Sequence, residues 1–202
     1  MLKQKDGWIE VITGPMFAGK TEELLRRIKR LEYAKKNIIV FKPLIDARYA
    51  DDEVVSHNKN RTKSINISKA REILSYVTID TDVVAVDEVQ FLDDEVIDIL
   101  DYLADQGKRI IVSGLDTDFR AEVFGFMGRL IAISESVTKL SAVCVKCSAP
   151  ATRTQRIVDG KPARYLDPIV LIGASESYEA RCRDCHRVYR KPKKFKENIR
   201  AK

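Results

Sequence analysis

Two apolar spacings alternate along the chain. Trp8-Ile9-Glu10-Val11-Ile12, Asn37-Ile38-Ile39-Val40-Phe41-Lys42-Pro43, Asp82-Val83-Val84-Ala85-Val86-Asp87-Glu88 and Lys108-Arg109-Ile110-Ile111-Val112-Ser113-Gly114 are short, nearly unbroken apolar runs. Runs of that length, rich in β-branched residues, predict strands buried on both faces of a sheet. Between them, Leu24, Leu25, Ile28 and Leu31 recur at helical spacing, with Arg26, Arg27, Lys29 and Arg30 on the other face. Val96, Ile97, Leu100 and Leu103 predict a second amphipathic helix from Asp93 to Gln106, closed by Gly107. Ser68 to Tyr76 reads as a short helix, and Leu44 to Lys63 shows no periodicity and is expected as a loop. Strand, helix and strand in alternation predict an α/β fold, a parallel sheet flanked by helices.

One loop in this pattern carries chemistry. Gly14-Pro15-Met16-Phe17-Ala18-Gly19-Lys20-Thr21 fits G-x-x-x-x-G-K-[ST], between the first predicted strand and the first helix. The two glycines let successive N–H groups turn inward toward phosphate oxygens, so all eight residues, Gly14 to Thr21, are candidates for holding ATP. Lys20 would reach the β- and γ-phosphates, and Thr21 would offer its hydroxyl to Mg²⁺ at a helix N-terminus that favours the anion. A turn that binds nothing is the alternative, but strand, loop and helix are in register.

The third predicted strand ends in Asp87 and Glu88. Parallel sheets place ligands at the C-terminal ends of their strands, so both carboxylates are expected beside the loop. Asp87 is suited to Mg²⁺ and ATP, Glu88 to activating a nucleophile as the catalytic residue. Past the fourth strand, Leu115-Asp116-Thr117-Asp118-Phe119-Arg120 and Phe124-Gly125-Phe126-Met127 form an aromatic-rich loop against which a planar base could stack. His57 fits a structural role and is left out of the chemistry.

All four cysteines fall in the last third, as Cys144-Val145-Lys146-Cys147 and Cys182-Arg183-Asp184-Cys185. Two C-x-x-C knuckles predict a structural Zn²⁺, because each turns two thiolates toward one ion; disulfides are the alternative, disfavoured in a reducing compartment. His186 could replace Cys185 as fourth ligand, although Cys185 completes the knuckle. The 34 residues between the knuckles are expected to form a long loop tied at its base, with a hairpin through Asp159-Gly160. Three segments follow: an α/β nucleotide-binding domain at 1–140, a zinc-binding domain with a substrate-covering, lasso-like loop at 141–192, and a basic tail at 193–202.

Composition narrows the class. The formal charge of +6 comes from the end: residues 187–202 carry eight Lys or Arg and one Glu, and the rest of the chain is close to neutral. The charge therefore marks a solvated tail rather than a nucleic-acid-binding face. No apolar run approaches the roughly 20 residues that span a bilayer, and Met1-Leu2-Lys3-Gln4-Lys5-Asp6 has no apolar signal core. Neither nucleic acid nor membrane is an expected partner, and a cytoplasmic location is expected.

Taken together, these motifs resemble the cytosolic-type, zinc-containing thymidine kinases over about residues 8 to 190. The carriers are Gly14 to Thr21, Phe41-Lys42-Pro43, Asp46-Ala47-Arg48-Tyr49, Asp87-Glu88-Val89-Gln90-Phe91, Gly114-Leu115-Asp116-Thr117-Asp118-Phe119, Ile172-Gly173 with Tyr178, and both cysteine pairs. The resemblance implies transfer of the ATP γ-phosphate to the 5′-hydroxyl of thymidine or deoxyuridine, in nucleoside salvage, with Glu88 as general base. It implies that Arg48 and Arg156 hold phosphates or order loops. Its nucleoside pocket maps onto Met16, Phe91, Leu115, Phe119, Phe124 and Tyr178, with the base read by backbone groups around Thr154 and Val170, Leu171 and Ile172. A homotetramer, feedback-inhibited by thymidine triphosphate, is the family's usual form.

The chain departs from the family's pattern at Phe119-Arg120-Ala121-Glu122-Val123-Phe124, where Gly and Pro usually replace Ala121 and Val123, and at Gly173-Ala174, often Gly-Gly. Both departures change loop stiffness. Two rivals share the phosphate loop: an ATP-driven nucleic-acid-binding zinc-ribbon protein, and a kinase of another small acceptor.

Overall fold

Each buried apolar run pairs with another, because a segment that is apolar on both faces is stable only inside a covered sheet. The computed structural model describes residues 7–44, 53–55, 61–170 and 176–192. Arg48, His57, Leu171, Ile172, Gly173-Ala174 and the tail from 193 lie outside the described residues. In chain order the strands are β1 (Trp8–Thr13), β2 (Ile38–Pro43), β3 (Glu53–Val55), β4 (Arg61–Lys63), β5 (Ile65–Ile67), β6 (Val83–Val86), β7 (Arg109–Gly114) and β8 (Ser136–Lys139). They are followed by β9 (Ala142–Val143), β10 (Pro150–Ala151), β11 (Arg153–Val158), β12 (Lys161–Pro162) and β13 (Glu176–Arg181). The helices are α1 (Lys20–Tyr33), α2 (Ile73–Tyr76), α3 (Glu95–Asp105) and α4 (Met127–Ile133).

Six strands form one parallel sheet in the order β5-β2-β6-β7-β1-β8. Alternation along the strands gives two apolar faces. Ile9, Val11, Val84, Val86, Ile110 and Val112 pack with Val96, Ile97 and Leu100 of α3 and Met127 and Leu130 of α4. Ile12, Ala85 and Ile111 meet Leu24, Leu25 and Ile28 of α1 on the other side. Each such aliphatic side chain contributes about 1.5–3 kcal/mol by leaving water. The fold is α/β, and the ends of β1, β6 and β7 open onto one edge.

Several elements differ from the sequence reading. The segment read as a loop from Leu44 to Lys63 contains the antiparallel pair β3–β4, and β5 adds an edge strand to the sheet. Strands of three residues are too short to produce a period. The helix expected at 68–76 divides into a 3-10 turn at Ala70–Glu72 and the single turn α2, with Glu72 accepting the N–H groups of Ser68 and Lys69 at 3.0 and 2.8 Å. Helix α4 and the exposed edge strand β8 have no counterpart in the sequence reading.

After β8 the chain forms the pair β9–β10 and a three-stranded antiparallel sheet, β12-β11-β13. Asp159 and Gly160 turn β11 into β12 with φ of 49° and 72°, the left-handed pair that a two-residue hairpin requires. The β11–β13 register runs from Arg153 opposite Arg181 to Val158 opposite Glu176. Among the described residues, no helix is long and apolar enough to cross a membrane.

Candidate active site

The phosphate loop leaves the end of β1 and runs into α1. Gly14 has φ 146°, and a Cβ there would lie inside van der Waals contact of the Leu140 carbonyl oxygen, so only glycine lets the loop pass. Gly19 has φ 79°, and its carbonyl accepts the Glu23 N–H at 3.0 Å to begin the helix. Phe17 also takes a left-handed conformation, at φ 64°. Lys20 is buried and donates from Nζ to the Pro15 carbonyl at 3.0 Å. Burial pulls its pKa down, opposed by the carboxylates of Glu88, Asp87, Asp116 and Glu22. Such a lysine is held ready for an anion that would restore its full charge.

Asp87 sits directly across from the loop. Its Oδ2 accepts from Thr21 Oγ1 at 3.2 Å, and its Oδ1 accepts from Ser113 Oγ and, at 3.1 Å, from the Glu88 N–H. Only 4% of Asp87 is exposed. Burial pushes its pKa up to about 6, with the Glu88 charge as second cause, and the bonds from Ser113 and Thr21 work against the rise. Thr21 and Asp87 thus form an oxygen pair, a donor set that suits Mg²⁺, a hard cation.

Glu88 follows in a left-handed conformation, φ 51°, unusual for a residue with a Cβ and costing on the order of 1–3 kcal/mol. The turn opens the 3-10 segment Val89–Phe91, in which the Phe91 N–H reaches back to the Glu88 carbonyl at 3.1 Å. It also brings the side chains of Glu88 and Gln90 together, with Gln90 Nε2 donating to Glu88 Oε2 at 2.6 Å. Gln90 Oε1 accepts the Leu115 N–H at 3.1 Å.

Beside the carboxylates lies an aromatic wall. Phe91 and Phe124 meet edge to face at 5.7 Å, and Met16 and Phe91 pack on the cluster that holds Leu115 and Phe124. The other side comes from the C-terminal strands. Thr154 Oγ1 accepts the Met16 N–H at 3.1 Å, and the Arg156 guanidinium lies 3.9 Å over the Phe119 ring while donating to the Pro168 carbonyl at 2.6 Å. Tyr178 faces Arg156 across the β11–β13 pair, and Val170 is exposed. Ala121, where the sequence departs from the usual glycine, keeps a left-handed conformation at φ 60°. Its loop is held from outside: His186 Nε2 lies 2.9 Å from the Phe119 carbonyl, Lys191 Nζ donates to the Arg120 carbonyl, and Tyr165 OH donates to Glu122 Oε2 at 3.1 Å.

Sγ atoms of Cys144, Cys147, Cys182 and Cys185 all lie within 4.8 Å of one another, and those of Cys147 and Cys182 are 3.6 Å apart. Tetrahedral thiolates at about 2.3 Å from zinc would stand about 3.8 Å apart, so the cluster fits that ion. Cys185 joins the cluster, while His186 turns its ring toward Phe119. Four cysteines are therefore positioned to bind a metal ion.

Sequence reasoning missed Gln90, Ser113 and the His186 contact. Only Gln90 left a signal: an amide one turn beyond an acid, in a stretch that must be buried. Compared with known families, residues 7–186 match the family model described as thymidine kinase.

Proposed function

Because the chain belongs to the thymidine kinase family, and is therefore a kinase acting on ATP and a nucleoside, we propose that it transfers the ATP γ-phosphate to the 5′-hydroxyl of thymidine or deoxyuridine. Support comes first from one junction: Thr21 bonded to Asp87, with Glu88 next in the chain on a left-handed turn that leads into Phe91, which meets Phe124 edge to face. In this reading Gly14 to Thr21 cradle the phosphates through backbone N–H groups, and Lys20 exchanges the Pro15 carbonyl for phosphate oxygens. Thr21 and Asp87 would hold the Mg²⁺ that accompanies ATP, whose role is to neutralise charge on the β- and γ-oxygens. Glu88 takes the proton of the 5′-hydroxyl as that oxygen bonds to the γ-phosphorus, and the electron pair of the broken P–O bond leaves with ADP.

Met16, Phe91, Leu115, Phe119, Phe124 and Tyr178 would enclose the nucleoside, with Thr154 and Val170, and with Leu171 and Ile172 outside the described residues, reading the base. Arg156 acts by ordering the loop, since its guanidinium is occupied by the Pro168 carbonyl and the Phe119 face; Arg48 is assigned to phosphate. Zn²⁺ on the four cysteines is structural. Domains at 1–140 and 141–192, a cytoplasmic homotetramer and inhibition by thymidine triphosphate complete the proposal on family grounds.

Incubation with Mg-ATP and a panel of nucleosides, following ADP and nucleoside monophosphate, tests the reaction. Product from thymidine and deoxyuridine alone supports the reading; no turnover in zinc-loaded protein that binds ATP refutes the acceptor. Glu88→Gln is expected to retain ATP binding and lose roughly 10²-fold in turnover. Near-normal turnover would remove Glu88 from the base role.

A further inference from the structure

We infer that Gln90 is the positioning residue of the catalytic base, and that it ties the base to the wall of the nucleoside pocket. The inference rests on the reading of Glu88 as base. Gln90 is almost fully buried, at 5% exposed, and both ends of its amide are used. The Leu115 backbone N–H can only donate, so the amide oxygen must face it at 3.1 Å and the amide nitrogen must face Glu88. Nε2 then donates to Glu88 Oε2 at 2.6 Å, the short length of a hydrogen bond to a charged acceptor. Chemistry, not chance, therefore fixes the orientation of the amide.

Space for this bridge is made by the backbone. Gly114 closes β7 beside Gln90, and a Cβ there would collide with Gln90 Oε1. The left-handed turn at Glu88 and the 3-10 segment after it bring residues 88 and 90 to the same side. Among the described residues, the hydrogen bond to the Glu88 carboxylate comes from Gln90 alone and reaches Oε2. In the base reading, the remaining oxygen, Oε1, is the one that would take the 5′-hydroxyl proton. A glutamate on a strained turn has rotamers that waste it as a base, and one fixed bond to a buried amide selects the useful one. Because the other end of the same amide holds Leu115, a displacement of the pocket wall displaces the base with it.

A double-mutant cycle in steady-state kinetics separates this role from a purely structural one. Gln90→Met keeps the length and volume and removes both hydrogen bonds. In the native background it is expected to lower kcat roughly 10- to 100-fold, with KM for ATP unchanged and KM for thymidine raised. In a Glu88→Gln background the same substitution is expected to change kcat by less than about 3-fold, since no base remains to be positioned. Equal losses in both backgrounds would overturn the inference. A Glu88→Gln protein with near-normal turnover would instead overturn the base reading, so the two failures are distinct. If Gln90→Met does not fold, Gln90→Glu, which keeps an acceptor for Leu115, is taken through the same cycle: a loss confined to the native background supports the positioning role, and equal losses overturn it.

Discussion

Strands β6 and β7 bury Val84, Ala85, Val86, Ile110, Ile111 and Val112, whereas β11 buries Thr154, Gln155 and Arg156. The first set is stabilised simply by leaving water. The second must find partners: Gln155 uses its amide on both backbone groups of Arg187, at 2.8 Å each, and Arg156 its guanidinium on the Pro168 carbonyl. The small cluster beneath β11 contains only alanines and cysteines, Ala142, Cys144, Ala151, Ala180 and Cys182. Such a cluster buries little apolar surface, so a metal on the four cysteines would supply much of the order in that region. The sheet that carries the phosphate loop stands on its own core, while β11 and its neighbours are held through hydrogen bonds of buried polar side chains.

Removing the metal gives the largest expected difference between the two regions. Structural zinc contributes about 10–16 kcal/mol in small zinc peptides, more than this C-terminal segment can replace. Chelation is expected to expose residues 148–181 to protease and to abolish thymidine binding, while an ATP analogue still binds. Unchanged proteolysis and kinetics after verified metal loss would end the comparison.

Asp87→Asn tests the opposite region. Asp87 has a folded pKa of about 6, above its unfolded value, so the folded protein holds its proton more tightly. Stability from this group is present below pH 4 and is lost as pH rises through about 6. At pH 7 the asparagine variant should therefore unfold at higher denaturant than the native ligand-free protein, by on the order of 3 kcal/mol, while losing turnover. A lower midpoint would mean that the hydrogen bonds from Ser113 and Thr21 outweigh the cost of burying the charge.

Thr154→Val cuts the seam between the regions. It strands the Met16 N–H, at a cost of about 1–3 kcal/mol if the seam stays closed. Thymidine KM is expected to rise several-fold, with a fall of several degrees in the melting temperature if the seam stays closed. Unaltered KM in steady-state kinetics would show that the seam does not shape the pocket. The smallest effect belongs to Ala121→Gly, which relieves a left-handed alanine against the extra freedom of glycine in the unfolded chain. A gain of no more than about 1 kcal/mol is expected in denaturant titration, and a loss would show that the turn is not strained.

Legibility followed the same division. The buried strands β1, β2, β6 and β7, with α1 and α3, were readable because burial on a regular element leaves an apolar pattern, and the phosphate loop because its glycines and lysine serve one geometry. Short β3, β4 and β5 were not, since three residues cannot establish alternation. The cysteine cluster was visible from its knuckles, and the hairpin from Asp159-Gly160. Ser113 was not, because its role depends on a contact with Asp87 on another strand, and Gln90 left only its place beside an acid, because sequence spacing does not encode which carbonyl, amide or hydroxyl a buried side chain will meet.

The strand order also sets a timetable. β1 lies between β7 and β8, with Trp8 beside Arg109 and Val11 beside Val137. In a chain emerging residue by residue, about a hundred residues must follow the phosphate loop before β1 has either neighbour. Until then the apolar run from Ile9 to Ile12 waits without a sheet, a long-range closure of the kind that slows folding and invites association between nascent chains. The loop therefore takes its final form late: the strand that carries it is enclosed only when both neighbours have been made.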